Sequence, residues 1–301
     1  MSTVKTRVDS RVAEHFLANQ FGPEVGQVEK IRGGELAEAF FFEADGVELV
    51  LRIHSRSYGF IKDRYAFEHF RSHEVPIPEI VKYGRFEGDK FYAVSRRAPG
   101  VTQAELSVSD RQAALPSVLR ALDAVHGTDV SDTRGYGHWR GSGSARRKTP
   151  RSHLESAMAG RNALWAEPYV DQGFHRALRA SMRPLIDYMP DQRFLVHGDF
   201  GHNNLMIAEA QVSAVLDWGQ SAYGDFMHDV AWLDFWDPDV DFAGVVREHY
   251  GRTRKGVPHY EERLRLHKLA IASGSLDFFL WSGQEVVYRK DLEWIKSLGL
   301  V

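Results

Sequence analysis

The chain has 301 residues, 43% hydrophobic and 26% charged, with a net charge of −3 and no cysteine. That is the balance of an ordinary globular protein, large enough for one big domain or two lobes, and it excludes disulfides, thiolate metal sites and a cysteine nucleophile. It also argues against a nucleic-acid binder, which is usually basic overall, and against a membrane protein, since no apolar run approaches the ~20 residues that span a bilayer.

The stretch Met1 to Phe16 has no continuous apolar core, so it does not read as a signal peptide. The expectation is a cytoplasmic, monomeric protein with no nucleic-acid or membrane partner. Val8, Val12, Phe16 and Leu17 recur at helical spacing and predict a helix over 6–21. The period then changes. Ala39-Phe40-Phe41-Phe42 and Val47 to Ile53 predict a hairpin turning at Asp45-Gly46. A helix over about 60–73, with Tyr65, Phe67 and Phe70 on its apolar side, is stopped by Val75-Pro76-Ile77-Pro78. A second hairpin, Ile80 to Phe86 and Phe91 to Ser95, turns over Glu87-Gly88-Asp89, and Ala98-Pro99-Gly100 breaks the pattern. Beyond it Ser109 is the expected N-cap of a helix running to His126. Residues 141–151, GSGSARRKTPR, read as a mobile basic loop. Helices are expected at about 152–166 and 173–188, a short strand at Phe194-Leu195-Val196, and a helical C-terminal third with Leu264, Leu266, Leu269, Ile271, Phe278, Phe279 and Leu280 as core. The resulting class is α+β: a strand-rich N-terminal lobe over 1–98, a hinge near 95–100, and a mostly helical lobe over 99–301.

The strongest chemical signal is His197-Gly198-Asp199 with Asn204 five residues after the Asp. This is the spacing of a kinase catalytic loop, in which one carboxylate faces the acceptor hydroxyl and a neutral oxygen reaches magnesium. Asp199 is the candidate base and Asn204 a candidate Mg²⁺ ligand. A turn rich in Gly, Asn and His is the plainer reading of the pattern alone. It is not alone. Leu205 to Ile207 and Val212 to Val215 predict a hairpin that returns Leu216-Asp217-Trp218-Gly219, shaped like D-F-G, beside Asn204. There Asp217 would be a second hard oxygen ligand rather than a helix cap. Downstream, Asp225 reads as a helix cap and Asp229 as a hydrogen-bond partner of the catalytic loop.

No P-loop is present: Gly251 to Gly256 has the glycine spacing but continues with Val257 rather than Lys. Instead Gly33-Gly34 would lie over nucleotide phosphates, and Arg52, at the place of Lys in V-A-I-K, would bridge phosphate and a carboxylate. Asp63 is the first choice for that carboxylate and Glu68 the reserve. An exposed strand cation is the competing reading of Arg52.

From Phe194 to Val246 there is no Lys or Arg, while Asp199, Glu209, Asp217, Asp225, Asp229, Asp234, Asp237, Asp239 and Asp241 crowd together. Each alone suits a cap or a solvated face. Together they repel unless something cationic sits among them, a metal ion or a polycationic ligand.

Gly33-Gly34, Leu51-Arg52, Val75-Pro76-Ile77-Pro78, Arg97-Ala98-Pro99-Gly100, the stretch from Leu122 to His126, the catalytic loop and Leu216-Asp217-Trp218 resemble the aminoglycoside phosphotransferase family over nearly the whole chain. Gly59-Phe60, Lys62-Asp63-Arg64-Tyr65, His69-Phe70 and Ser95 to Thr102 resemble its hygromycin B branch; residues 127–175 and the C-terminal helices depart from it. Asp63 also stands where many relatives carry Glu, one methylene shorter with the same charge. The resemblance implies a protein-kinase-like two-lobed fold with ATP and Mg²⁺. The nucleotide would contact Gly33, Gly34, Arg52, Asp63 and the hinge residues Ser95, Arg97 and Ala98. A cationic aminoglycoside would contact Asp199, Asn203, Asp234, Trp236 and Asp237. Choline, homoserine and macrolide kinases share the same machinery. A hydrolase holding a transition metal on His197, Asp199 and His202 is a reading from another class, and a non-catalytic binder on this scaffold a third.

Overall fold

The computed structural model describes residues 4–158, 162–253 and 256–301. Its first helix, α1 (Ser10–Phe21), starts four residues later than the apolar spacing suggests. Thr6 is held extended instead, its N–H bonded to Leu36 O at 2.9 Å and its hydroxyl receiving Ser55 N at 2.9 Å, and Asp9 then caps the helix through Arg11 N. Strands β1 (Glu29–Lys30), β2 (Glu38–Ala44) and β3 (Val47–His54) follow, then α2 (Tyr58–Phe70), β4 (Ile80–Arg85) and β5 (Phe91–Arg96). The five strands form an antiparallel sheet in the order β1-β2-β3-β5-β4. Side chains alternate across a strand, so Phe40, Phe42, Leu49, Leu51 and Ile53 share one buried face, against which Ala13 and Leu17 of α1 pack.

The remainder runs β6 (Val101–Thr102), α3 (Val108–Gly127), β7 (Tyr136–Trp139), β8 (Ala145–Arg147), α4 (Pro150–Met158), α5 (Gln172–Met182), β9 (Phe194–Val196), β10 (Leu205–Ala208), β11 (Gln211–Val215), β12 (Ala222–Gly224), α6 (Met227–Trp236), α7 (Phe242–Thr253), α8 (Tyr260–Trp281) and α9 (Glu285–Ser297). Two small sheets, β11-β10-β6 and β8-β7-β12-β9, sit among the helices. Among the described residues no helix is long and apolar enough to cross a membrane.

Several boundaries differ from expectation. Ser107, not Ser109, caps α3, because its extended backbone lets the hydroxyl accept from Asp110 N. The stretch 141–151 is not a free loop: β8 pairs with β7, and α4 begins at Pro150. The helix expected over 152–166 divides into α4 and a short 3₁₀ turn, Asn162–Ala166, with residues 159–161 outside those described. Arg254 and Lys255, in the glycine-spaced segment weighed as a P-loop, also lie outside. Pro184, which lacks an N–H, ends α5 early and leaves 3₁₀ geometry over Arg183–Tyr188. Of the expected C-terminal core on α8, Leu264, Leu266, Leu269, Ile271 and Leu280 are buried, whereas Phe278 and Phe279 are only half-buried.

One packing feature positions everything that follows. α2 follows β3 in the strand-rich part, yet its Ala66 and Phe70 belong to the large core of the helical part. There Phe70 meets Trp139 at 5.8 Å and Trp218 at 6.0 Å between ring centres.

Candidate active site

Strand β9 ends at Val196 and the chain turns sharply at Gly198, where φ is +83° and a Cβ would lie 2.5 Å from Gln220 O. Glycine is required for loop 197–204 to lie against segment 217–221. Asp229, fully buried on α6, fixes the loop by accepting His197 N and Gly198 N, each at 2.8 Å, as its sequence position suggests. Burial opposes the Asp229 charge, yet hydrogen-bonded His126, with the fields of His197 and His228, holds the carboxyl below its ordinary value. The His197 ring donates through Nε2 to Leu216 O at 2.9 Å, and its Nδ1 accepts Asp199 N at 3.3 Å. Both ring nitrogens are committed, and burial keeps the imidazole neutral.

The β10–β11 hairpin turns at Glu209 and Ala210, both at left-handed φ, and pairs Leu205 with Val215. Leu216 N then bonds Asn204 O at 2.8 Å, which brings Asp217 beside Asn204. The Asn204 amide Nδ2 donates to Asp199 O at 3.0 Å, leaving its carbonyl oxygen for other work. Asp217 is exposed; one of its oxygens accepts Gly219 N at 3.1 Å, so it does cap a short 3₁₀ turn, but at the surface. Burial and then the charge of Asp217 push the Asp199 carboxyl well above its usual range, against hydrogen bonds from Asn204 and Trp232. Asp199, Asn204 and Asp217 are therefore brought together. The Asn204 amide oxygen and the Asp217 carboxylate are hard donors that suit a divalent cation such as Mg²⁺, with Asp199 beside them. The transition-metal hydrolase reading fails, because His197 is spent on the backbone and no metal-holding cluster of His, Asp or Glu occurs among the described residues.

From the sheet above, Arg52 on β3 pairs with Asp63 on α2 at 2.6 Å, and the second Asp63 oxygen accepts Trp218 N at 2.7 Å. The reserve candidate, Glu68, pairs with Arg64 instead. Lys62, which sequence reasoning missed, is fully buried one residue earlier and donates to Gly219 O at 2.9 Å and Ser221 O at 2.6 Å. Burial lowers its pKa to about 7. Lys5, also missed, braces the Gly33-Gly34 turn by donating to both carbonyls at 2.7 and 2.8 Å, and Glu35 in the same turn accepts Gln284 Nε2 at 3.0 Å. In the hinge Ser95 is buried on β5. The Arg97 N–H is bonded to Glu48 O, and its side chain pairs with Glu48 and lies over Phe41, so its guanidinium is occupied; Ala98 is half-buried beside it.

The acidic window takes a different form from the one its sequence suggests. Arg111 reaches Asp237 at 2.9 Å and Asp239 at 3.5 Å, Lys268 pairs with Asp234, and Arg263 neutralises Asp225, with His267 Nε2 at 3.2 Å from it. Asp241 accepts Gly244 N at the start of α7. The premise that no Lys or Arg is near does not hold in three dimensions, and Asp234 and Asp237 are committed to ion pairs. Of the aromatics, Trp232 lies near enough to Asp199 to favour its charged form, whereas Trp236 stacks on Trp294 at 5.2 Å. Asn203 is exposed in the catalytic loop.

The β9–β12–β7 sheet also gathers imidazoles that spacing could not reveal. His138 Nδ1 bonds Gln220 O at 2.9 Å and its ring lies 5.5 Å from His153; His228 sits 3.4 Å from Gly198 O. Burial drives His153 down to about 3 and His228 to about 4, so both are neutral near pH 7.

The phosphotransferase enzyme family, APH, matches residues 27–266. The chain is 33% identical to hygromycin-B 4-O-kinase of Escherichia coli over 289 residues, covering 92% of this chain and 84% of that one. It superposes on a thermostable mutant of aminoglycoside phosphotransferase APH(4)-Ia, solved in ternary complex with AMP-PNP and hygromycin B. The TM-score is 0.82 at 30% identity, with 94% of this chain and 95% of that one covered. The GDP complex of aminoglycoside 2'-phosphotransferase-IIIa, at 14% identity and a TM-score of 0.70 over 96% of this chain and 98% of that one, shares the fold.

Proposed function

The chain belongs to the APH phosphotransferase enzyme family, and on that premise we propose that it is an ATP-dependent O-kinase that phosphorylates a hydroxyl of an aminoglycoside, hygromycin B in particular. The observation that carries this reading is the approach of Asp199, Asn204 and Asp217 through the β10–β11 hairpin. The complex of a close structural relative with AMP-PNP and hygromycin B supports the choice of both substrates.

Residues 1–98 are the nucleotide lobe and 99–301 the acceptor lobe. ATP lies under the Gly33-Gly34 turn, beside a pocket where Lys5, Arg7, Lys30 and Arg32 meet Glu35 and Glu38, the last paired with Lys30. Arg52, fixed by Asp63, faces the phosphates. The nucleobase lies along the hinge at Ser95 and Ala98, the N–H groups of Arg96 and Arg97 being taken by Glu79 and Glu48. Asn204 and Asp217 are the residues that would hold Mg²⁺, which neutralises phosphate charge when bound. Asp199 orients the acceptor hydroxyl toward the γ-phosphorus and takes its proton, and its raised pKa brings it closer to the task of a base near neutrality. Catalysis of this kind rests on positioning and charge stabilisation. Asn203, Trp232 and Trp236 line the acceptor side. Asp234 and Asp237 hold α6 and its neighbours through their ion pairs and do not face the sugar.

The test is an ATP-consumption assay with Mg²⁺ across hygromycin B, other aminoglycosides, choline, homoserine and a macrolide. Phosphate appearing on hygromycin B above all others is the expected result. Turnover confined to choline or a macrolide would replace the acceptor, and no transfer to any of them would remove the kinase reading.

A further inference from the structure

We propose that Lys62 is a positioning residue that holds the Asp217 carboxylate in place by gripping the peptide units that follow it. The inference rests on the reading of Asp217 as the Mg²⁺ ligand and goes beyond it, to a residue outside the catalytic motifs.

Segment 217–221 begins with a residue at φ +54°, a left-handed conformation uncommon for a side chain other than glycine. Such a backbone persists when its surroundings over-determine it. Here the determinants are two consecutive residues of α2. Asp63 takes Trp218 N, and Lys62 donates to Gly219 O and Ser221 O. Segment 217–221 is therefore tied by α2 side chains at Trp218 N, Gly219 O and Ser221 O, and His138 of β7 holds Gln220 O.

The pocket around Lys62 is apolar as well as buried. Its ammonium lies 4.5 Å from the Trp139 ring centre and 5.3 Å from that of Tyr58. An apolar side chain of similar length would fill this space without the desolvation that a lysine suffers. The lysine makes sense through its two carbonyl partners. Trp139 is itself carried by the β7–β8 hairpin, which sits on α2 through Tyr58 Oη to Trp139 O at 2.8 Å. It also fits there through Gly143, where φ is +69° and a Cβ would fall 2.0 Å from Tyr65 Oη. Trp139, on the strand that pairs with β8, thus forms one wall of the Lys62 pocket. An amine donor that joins α2 to the magnesium segment links the geometry of the nucleotide side, where Arg52 and Asp63 meet, to that of Asp217.

The experiment is calorimetry with AMP-PNP, which is not turned over, with and without Mg²⁺, on the full chain. In the parent protein Mg²⁺ is expected to tighten AMP-PNP binding. In Lys62→Met that magnesium-dependent gain falls about tenfold, with the magnesium-free affinity within about threefold of the parent. Lys62→Gln, which retains an amide donor, falls between the two and supplies the comparison should Lys62→Met not fold. Tyr58→Phe loosens the hairpin without touching the carbonyls and keeps the full gain. An unchanged gain in folded Lys62→Met or Lys62→Gln overturns the assignment, as does an equal loss in Tyr58→Phe, which would make the effect one of general packing. If the parent protein shows no magnesium-dependent gain, it is the Asp217 reading that fails, and the two failures are told apart.

Discussion

Two groups of carboxylates lie within one short stretch of this chain and end in opposite circumstances. Among the described residues no ion pair joins Asp199 or Asp217 to a cationic side chain; Asp217 accepts a backbone amide, and Asn204 and Trp232 favour the charged form of Asp199. Asp225, Asp234 and Asp237 are each paired with a cation, from Arg263, Lys268 and Arg111 respectively. The first group keeps its charge available to a metal ion and a hydroxyl. The second spends its charge on holding α6 against α3 and α8. Like charge in sequence therefore hides two unlike roles, and the difference is made by where the compensating cation comes from.

The comparison is broken first at Asp199. If this carboxylate is free to act on substrate, Asp199→Ala lowers kcat by about 10²–10⁴-fold, the range of general-base catalysis, and leaves nucleotide affinity within about threefold. Steady-state kinetics and nucleotide titration check both halves; an active variant would place Asp199 with the structural group. Its protonation adds a pH test. Burial and then the neighbouring Asp217 charge raise the Asp199 pKa, and a base must be ionised to accept a proton. Activity is therefore lost as pH falls through the raised value, so the acid limb of kcat/KM lies above the ordinary Asp range near 4. A limb at the ordinary value would mean that neither burial nor the Asp217 charge acts on Asp199.

The two groups were not equally legible. Asp199, Asn204 and Asp217 meet through a local hairpin whose turn and strands are written in eleven consecutive residues, Leu205 to Val215. Spacing alone therefore carried the geometry, as it did for the β2–β3 hairpin that aims Arg52. The cations that neutralise α6 come from positions 111, 263 and 268, and no reading of the window itself could find them. The same limit hid Lys62, whose partners lie more than 150 residues away, and the imidazoles brought together by β7, β9 and β12. Local patterning shows where a motif turns back on itself; it is silent on which distant side chain fills the space.

The next test sharpens the structural side. Asp225 is buried and bonded to Arg263 and His267, so Asp225→Asn strands the Arg263 charge and is expected to destabilise by about 3–5 kcal/mol. Thermal unfolding should show a large loss of Tm, while folded variant keeps its kcat. Burial opposes the Asp225 charge, but His267 and Arg263 overcome it and hold the folded carboxyl far below its unfolded value. Its contribution is therefore complete above about pH 4 and is lost as pH falls toward the folded value, so the parent protein loses stability in acid faster than the variant.

The smallest effect is expected where the two roles come nearest to one another. Asp234 is on α6, two residues after Trp232, which lies toward Asp199, but its carboxylate pairs with Lys268 and accepts Ala243 N at 2.8 Å. A partly exposed pair of this kind contributes about 0–1 kcal/mol. Asp234→Asn should therefore shift Tm slightly and change the KM for hygromycin B by less than threefold, about 0.7 kcal/mol. A tenfold rise in KM with an unchanged Tm would reverse the assignment. It would show that Lys268 gives way to an ammonium group of the sugar, and that Asp234 belongs with Asp199 and Asp217 after all.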